Sequence, residues 1–241
     1  MPNVETPKLS VSTVAVLGGT GPQGRGLARR FAAAGLKVVI GSRTAVRAEA
    51  AAEALADAGS ISGAANADAA AIGDVVLIVV PWEGHKELLE SLAPTLAGKI
   101  VGDCVNPLGF DKQGAYALPV EEGSATQQAA AILIESRVVG AFHHVSAVLL
   151  EDPEVASVAT DVLVLGDDRE ATDLVQALAG VVPGMRGVYA GRLRNAHQVE
   201  GMRGIYAGRL RNAHQVEALT ASLIAINRRY KAHSGIRVTD A

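Results

Sequence analysis

The chain has 241 residues and a formal net charge of −3, which leaves no electrostatic footprint for nucleic acid or for an anionic membrane surface. Apolar residues make up 49% and aromatics only 3%, so a sizeable core is expected, filled by Ala, Val and Leu. The lone Cys104 excludes an internal disulfide, and neither a signal-type N-terminus nor a run approaching the roughly 18 apolar residues of a membrane span is present; a soluble cytoplasmic protein is the expectation.

Taken in chain order, TVAVLGG (13–19) reads as a strand and 22–34 as a helix. KVVIGS (37–42) is a second strand, followed by a helix over 44–58. VVLIVV (75–80) is a third, with a helical stretch near 84–97 and another strand, KIVGDCV, at 99–105. SATQQAAAILIES (124–136) opens with Ser124 and carries Gln127 three residues on, the pattern of a capping box. RVVGAFHHV (137–145) returns to strand. Near-continuous apolar strands separated by helices imply a doubly wound parallel sheet of Rossmann type over residues 1–150. Residues 151–241 read as a smaller C-terminal α/β domain. It holds a strand at 161–168, a helix at 169–180 and an amphipathic helix near 212–230, where Val216, Leu219, Leu223 and Ile226 share a face.

Within that second part, GMRGVYAGRLRNAHQVE (184–200) is followed at once by GMRGIYAGRLRNAHQVE (201–217), the copies differing only at Val188 and Ile205. Two copies are too few for a solenoid. Their odd spacing would swap the faces of any strand slid by one copy. One copy is therefore expected in the fold and the other outside its regular packing; the first follows the 169–180 helix and the second runs into the final helix, and the sequence leaves open which copy takes the strand and which the helix start.

The turn LGGTGPQG satisfies G-x-G-x-x-G with Gly19, Gly21 and Gly24. Glycines here permit a tight turn and close approach of a pyrophosphate, whose charge the following helix N-terminus favours. In NAD-binding versions the second strand ends in an acid that bonds the ribose 2′-hydroxyl. This one ends Gly41-Ser42-Arg43, with Arg47 in the first turn of the next helix and no carboxylate before Glu49. An acid would repel a 2′-phosphate, whereas Ser42, Arg43 and Arg47 would hold it. The expected ligand is NADP(H).

Elsewhere the residues inform by exclusion. The six histidines show no metal-ligand spacing, and no nucleophile–His–acid set appears. His143 and His144 follow a strand, as do Pro81-Trp82 and Asn106-Pro107, at the edge where open α/β sheets bind ligands.

The ordered set GGTGPQGRGLA, GSR with an arginine four residues later, VPWEGH, FHHVSA and GRLRNAHQVE resembles the F420-dependent NADP reductases, over roughly 13 to 237. The resemblance implies hydride exchange between NADP(H) and the deazaflavin coenzyme F420, with no acid or base residue required. It implies that Gly19, Thr20, Gly21, Pro22 and Gln23 hold the pyrophosphate, that Ser42, Arg43 and Arg47 hold the 2′-phosphate, and that Val80 and Pro81 flank the nicotinamide. Ala147 would lie by the nicotinamide, and His143, Val145 and Leu210 (or its copy Leu193) by the deazaflavin. Partners would be these small molecules and a second copy in a homodimer, with no nucleic acid and no membrane. Two other readings stay open on the residues alone: an NADP-dependent imine or carbonyl reductase with His143 as proton donor, and a non-catalytic NADP(H)-sensing module.

Overall fold

Short β-branched runs alternate with alanine-rich helices along most of the chain, and the fold follows from that alternation. The computed structural model describes residues 11–112, 114–200, 226, 229 and 230. In order they form β1 (Thr13–Leu17), α1 (Pro22–Ala33), β2 (Lys37–Ser42), α2 (Ala45–Glu53), β3 (Ile61–Ala65), α3 (Asn66–Ile72), β4 (Val75–Ile78), α4 (His85–Leu96) and β5 (Ile100–Asp103). Then follow β6 (Leu108–Asp111), β7 (Gly114–Ala117), α5 (Ala125–Ile132), β8 (Arg137–Gly140), α6 (Ala147–Glu151), β9 (Thr160–Gly166), α7 (Arg169–Gly180), β10 (Met185–Gly191) and α8 (Ala196–Glu200).

Among the described residues eight strands join one sheet in the order β10-β9-β8-β5-β4-β1-β2-β3, and β6 and β7 form a separate antiparallel hairpin. The sheet is parallel except at β8–β9. The pleat of β1 sends Val14 and Val16 to one face, with Leu27 and Phe31 of α1, and Ala15 and Leu17 to the other, with Leu89 and Leu92 of α4. Helices therefore cover both faces.

Several elements differ from the sequence expectation. The stretch 59–74, to which no element was assigned, contains β3 and α3. The strand ISGAA has little β propensity, but a Cβ on Gly63 would run into the α2 backbone at Ala48 and Glu49, so small residues let helix and strand close together. The hairpin β6–β7 was likewise not anticipated. The strand expected over 137–145 stops at Gly140, because Phe142 has φ 60 and turns the chain out of the sheet.

The C-terminal segment adds β9-α7-β10 to the same sheet, running opposite to β8. The first copy of the duplicated sequence supplies β10 and α8. The second copy, and most of the amphipathic helix expected near 212–230, lie outside the described residues. Ile226 packs with Leu165, Val188, Ala190 and Val199. Tyr230 accepts from the Tyr189 amide (3.0 Å) and donates to Gln176 (2.7 Å).

Candidate functional site

The strand order reverses on either side of β1: β2 and β3 lie to one side, β4, β5 and β8 to the other. The carboxyl ends of β1 and β4 thus part at a topological switch point, where open α/β sheets take their ligands. The turn after β1 crosses this crevice.

Gly24 is glycine for packing, since a Cβ there would run into Gly19 Cα. Gly21 is different. Its φ of −83 suits any residue, and a Cβ built on it would meet nothing within 4 Å. Neither backbone conformation nor packing asks for glycine there, which leaves the approach of a ligand. No side chain caps α1 and no acid stands in its first turn, so the dipole at its N-terminus is open to an anion. Thr20 and Gln23 are half-buried, Pro22 is exposed and Gly19 is buried, its amide donating to Gly41 O (3.0 Å).

Ser42 ends β2, 4% exposed. Arg43 and Arg47 are exposed on either side of the α2 N-terminus, and neither forms an ion pair or hydrogen bond with another described residue. Thr44 takes the N-cap position without a side-chain cap bond. Arg47 stands in the first turn of α2, where the dipole disfavours a cation, and Arg43 just precedes the N-cap; among the described residues no carboxylate pairs with either. On the far side of the crevice Val80 is half-buried and Pro81 exposed, just past β4.

The second wall is the loop 141–146 and α6. Phe142 is buried and left-handed, a conformation that costs a non-glycine residue on the order of 1–3 kcal/mol. Its ring meets Phe31 of α1 edge-on at 6.0 Å, and its carbonyl accepts from Gln23 Nε2 (3.2 Å). The His143 carbonyl accepts from Asn106 Nδ2 (2.8 Å). His143 and Val145 are enclosed, 1% and 0% exposed; Ala147 is half-buried, and beyond it Val148 and Leu149 face outward. Leu210 lies outside the described residues. Its copy Leu193 opens a short 3-10 turn after β10; Gly191, two residues before it, is level with Leu165, which pairs with Gly140 at the carboxyl end of β8.

The wall is tied to α1 at several points. Arg25 pairs with Glu151 (2.7 Å) and donates to Thr20 O (3.0 Å). The buried Arg30 guanidinium donates to the carbonyls of Leu149, Leu150, Asp152 and Val155 at 2.6 to 2.9 Å. A Cβ on Gly26 would meet Leu150 Cβ at 2.5 Å. The helix whose N-terminus faces the crevice and the loop that closes it therefore form one unit. Arg30 was not anticipated, because nothing local sets it apart from its neighbour Arg29.

Also unanticipated is a buried polar cluster under the β5 end. His85 and Asp103 are both 0% exposed and share a 2.6 Å contact, while His85 Nδ1 faces Gln128 Oε1 at 3.0 Å. Burial works against a charged His85, but Asp103, Gln128 and Glu200 together outweigh it and the imidazole pKa is raised. Glu200 accepts from Ala125 N (2.8 Å), Thr126 N (2.9 Å) and Thr126 Oγ1 (2.8 Å). Burial, helped by Asp103, pushes Glu200 up to about 7 against those three bonds. An acid inside the apolar run KIVGDCV was the available signal for the first pair; Glu200 offered none. The described residues hold no group of three or more His, Cys, Asp or Glu fit for a metal ion.

Residues 13–107 match the family model described as NADP oxidoreductase, coenzyme F420-dependent. Over 97% of its length the chain is 38% identical to the F420-dependent NADP reductase of Methanothermobacter thermautotrophicus, of which it covers 97%. It is also 38% identical to that of Methanocaldococcus jannaschii, covering 94% of this chain and 98% of the relative. A crystal structure from Arthrobacter sp. FB24, provisionally assigned to the same reductases, superposes with a TM-score of 0.66 at 24% identity, over 92% of this chain and 96% of that one. It shows the shared fold.

Proposed function

The chain belongs to the F420-dependent NADP reductases, and from that premise we infer that it transfers hydride between NADP(H) and the deazaflavin coenzyme F420. When both are bound, the two ring systems supply the chemistry: a hydride, carrying both electrons, passes between nicotinamide C4 and deazaflavin C5, and solvent balances the proton. The chain's own task is to bind, align and exclude water.

The observation that carries the assignment is the pair Arg43 and Arg47, exposed without an ionic partner among the described residues beside Ser42. In this reading they hold the 2′-phosphate, the turn Gly19, Thr20, Gly21, Pro22 and Gln23 seats the pyrophosphate on α1, and Val80 and Pro81 flank the nicotinamide. Ala147 leaves room for two stacked rings, while His143 and Val145 shape the wall behind the acceptor from buried positions. Leu210 remains an expected acceptor contact. Residues 1–150 then form the NADP-binding domain and 151–241 the smaller C-terminal one.

We place the reaction in the cytoplasm and in a homodimer. Among the described residues no helix is long and apolar enough to cross a membrane. The outward Val148 and Leu149 beside the crevice give a second copy an apolar surface to cover.

The test is loss of F420 absorbance on mixing with NADPH or with NADH. Wild type should bleach F420 with NADPH. Arg47→Ala should weaken NADPH binding about 10- to 100-fold, the value of one or two charge-assisted bonds, and change NADH binding less than about twofold. Equal losses for both nucleotides would remove the 2′-phosphate assignment, and no bleaching by wild type would remove the reaction.

A further inference from the structure

The loop that walls the acceptor side of the crevice turns at a single left-handed residue, Phe142, and two consecutive carbonyls of that turn are held by side-chain amides from different parts of the sheet edge. Gln23 reaches Phe142 O from the glycine-rich turn. Asn106 reaches His143 O from just beyond β5. The two peptide units that follow Phe142 are thus each held by a side-chain amide, which restrains the turn.

Asn106 has a second informative feature. Its Oδ1 is buried and accepts no hydrogen bond from the described residues. A buried amide oxygen left unsatisfied destabilises a fold, and a leucine of similar shape would not incur that loss. What leucine could not supply is the N–H to His143 O.

We propose that Asn106 is a positioning residue for hydride transfer: by holding the His143 carbonyl it fixes the left-handed turn, and through the turn it sets where Val145 and Ala147 stand relative to the nicotinamide. The inference rests on the hydride-transfer reading above. Asn106 acts through the loop backbone and touches neither ring. Because Gln23 belongs to the turn assigned to the pyrophosphate, the nucleotide seat and the acceptor wall share the same two-point clamp, and Asn106 is its point outside the nucleotide seat.

The experiment compares wild type with Asn106→Leu and Asn106→Asp, neither of which can donate to His143 O. Three quantities are read: NADP+ affinity by calorimetry, F420 affinity of the NADP+-saturated protein by F420 fluorescence, and single-turnover rates with NADPH and with NADPH carrying two deuterons at C4. The expected result is NADP+ binding within about twofold of wild type, F420 binding weakened at least about tenfold, and a slower transfer step with a larger deuterium effect on steady-state turnover. Wild-type F420 affinity and rate in a folded variant would overturn the proposal. So would an equal loss of NADP+ and F420 binding, or failure of both variants to fold, since each makes the role purely structural. Failure of wild type itself to bind F420 would instead sink the hydride-transfer reading.

Discussion

Gly21 and Gly24 show how one motif carries two kinds of necessity. A methyl group on Gly24 would collide with Gly19, whereas on Gly21 it would enter empty space in an ordinary backbone conformation. Gly21→Ala should therefore leave the melting temperature unchanged or slightly raised, since an unstrained Gly→Ala change stabilises by roughly 0.4–1 kcal/mol through the unfolded chain. It should weaken NADP(H) binding at least about tenfold by filling the pyrophosphate's space. Calorimetry on the same sample reads both, and undiminished affinity would show that no phosphate approaches there. Ser42, Arg43 and Arg47 stand out in the sequence for the same reason as these glycines: they form a short motif after a recognisable strand, which the structure places at the end of β2. Asn106 was visible as a strand-end residue, but its partner was not, because His143 O lies 37 residues away.

At the scale of an element, α5 was read with a capping box, and Ser124 does accept from the Gln127 amide (3.0 Å). The remaining amides at that N-terminus, Ala125 and Thr126, are taken by Glu200 from α8. The carboxylate is thus a cap supplied across 75 residues, and its raised pKa gives a pH signature. Between 4.5, its ordinary value, and about 7, the folded chain holds a proton that the unfolded chain has released. Folding stability contributed by this group is complete below 4.5 and declines until about 7. At about 1.4 kcal/mol per pH unit the decline is about 3 kcal/mol. Glu200→Gln, which cannot ionise, should flatten that slope in denaturant melts taken from pH 4.5 to 7.5. Parallel curves for the two proteins would mean that Glu200 is already ionised throughout. His85 also has a raised pKa, held up mainly by Asp103, so its contribution is lost from 6.5 upward; the Glu200 charge adds to that shift, and Glu200→Gln should reduce this loss as well.

Across the whole molecule the duplicated segment sets a sharp problem. The first copy fills the edge position of the sheet, with Val188, Ala190 and Val199 in the core and Glu200 capping α5. Every one of these residues except Val188 recurs in the second copy. Deleting 201–217 and deleting 184–200 therefore yield chains that differ only by Val or Ile at one buried position. Both should fold and bind NADPH like the parent, and their stabilities should differ by less than about 1.5 kcal/mol, the range for one added methylene in a core that can adjust. Thermal melts and NADPH titration of the two deletions check this. Loss of NADPH binding in either would show that the fold needs both copies.

The sequence alone determined the alternation of strands and helices, the glycine-rich turn after β1, the cationic end of β2 and the family. Each of these is written in side-chain periodicity or in motifs a few residues long, and local sterics and charge enforce them wherever they occur. The tertiary structure decided that β9 and β10 run against the rest of the sheet, that Arg30 and Gln23 tie the segment 142–155 to α1, and that Asp103 and Glu200 are buried with partners. Those outcomes depend on which distant group arrives within hydrogen-bond reach of a given side chain, and only the packed sheet fixes that choice.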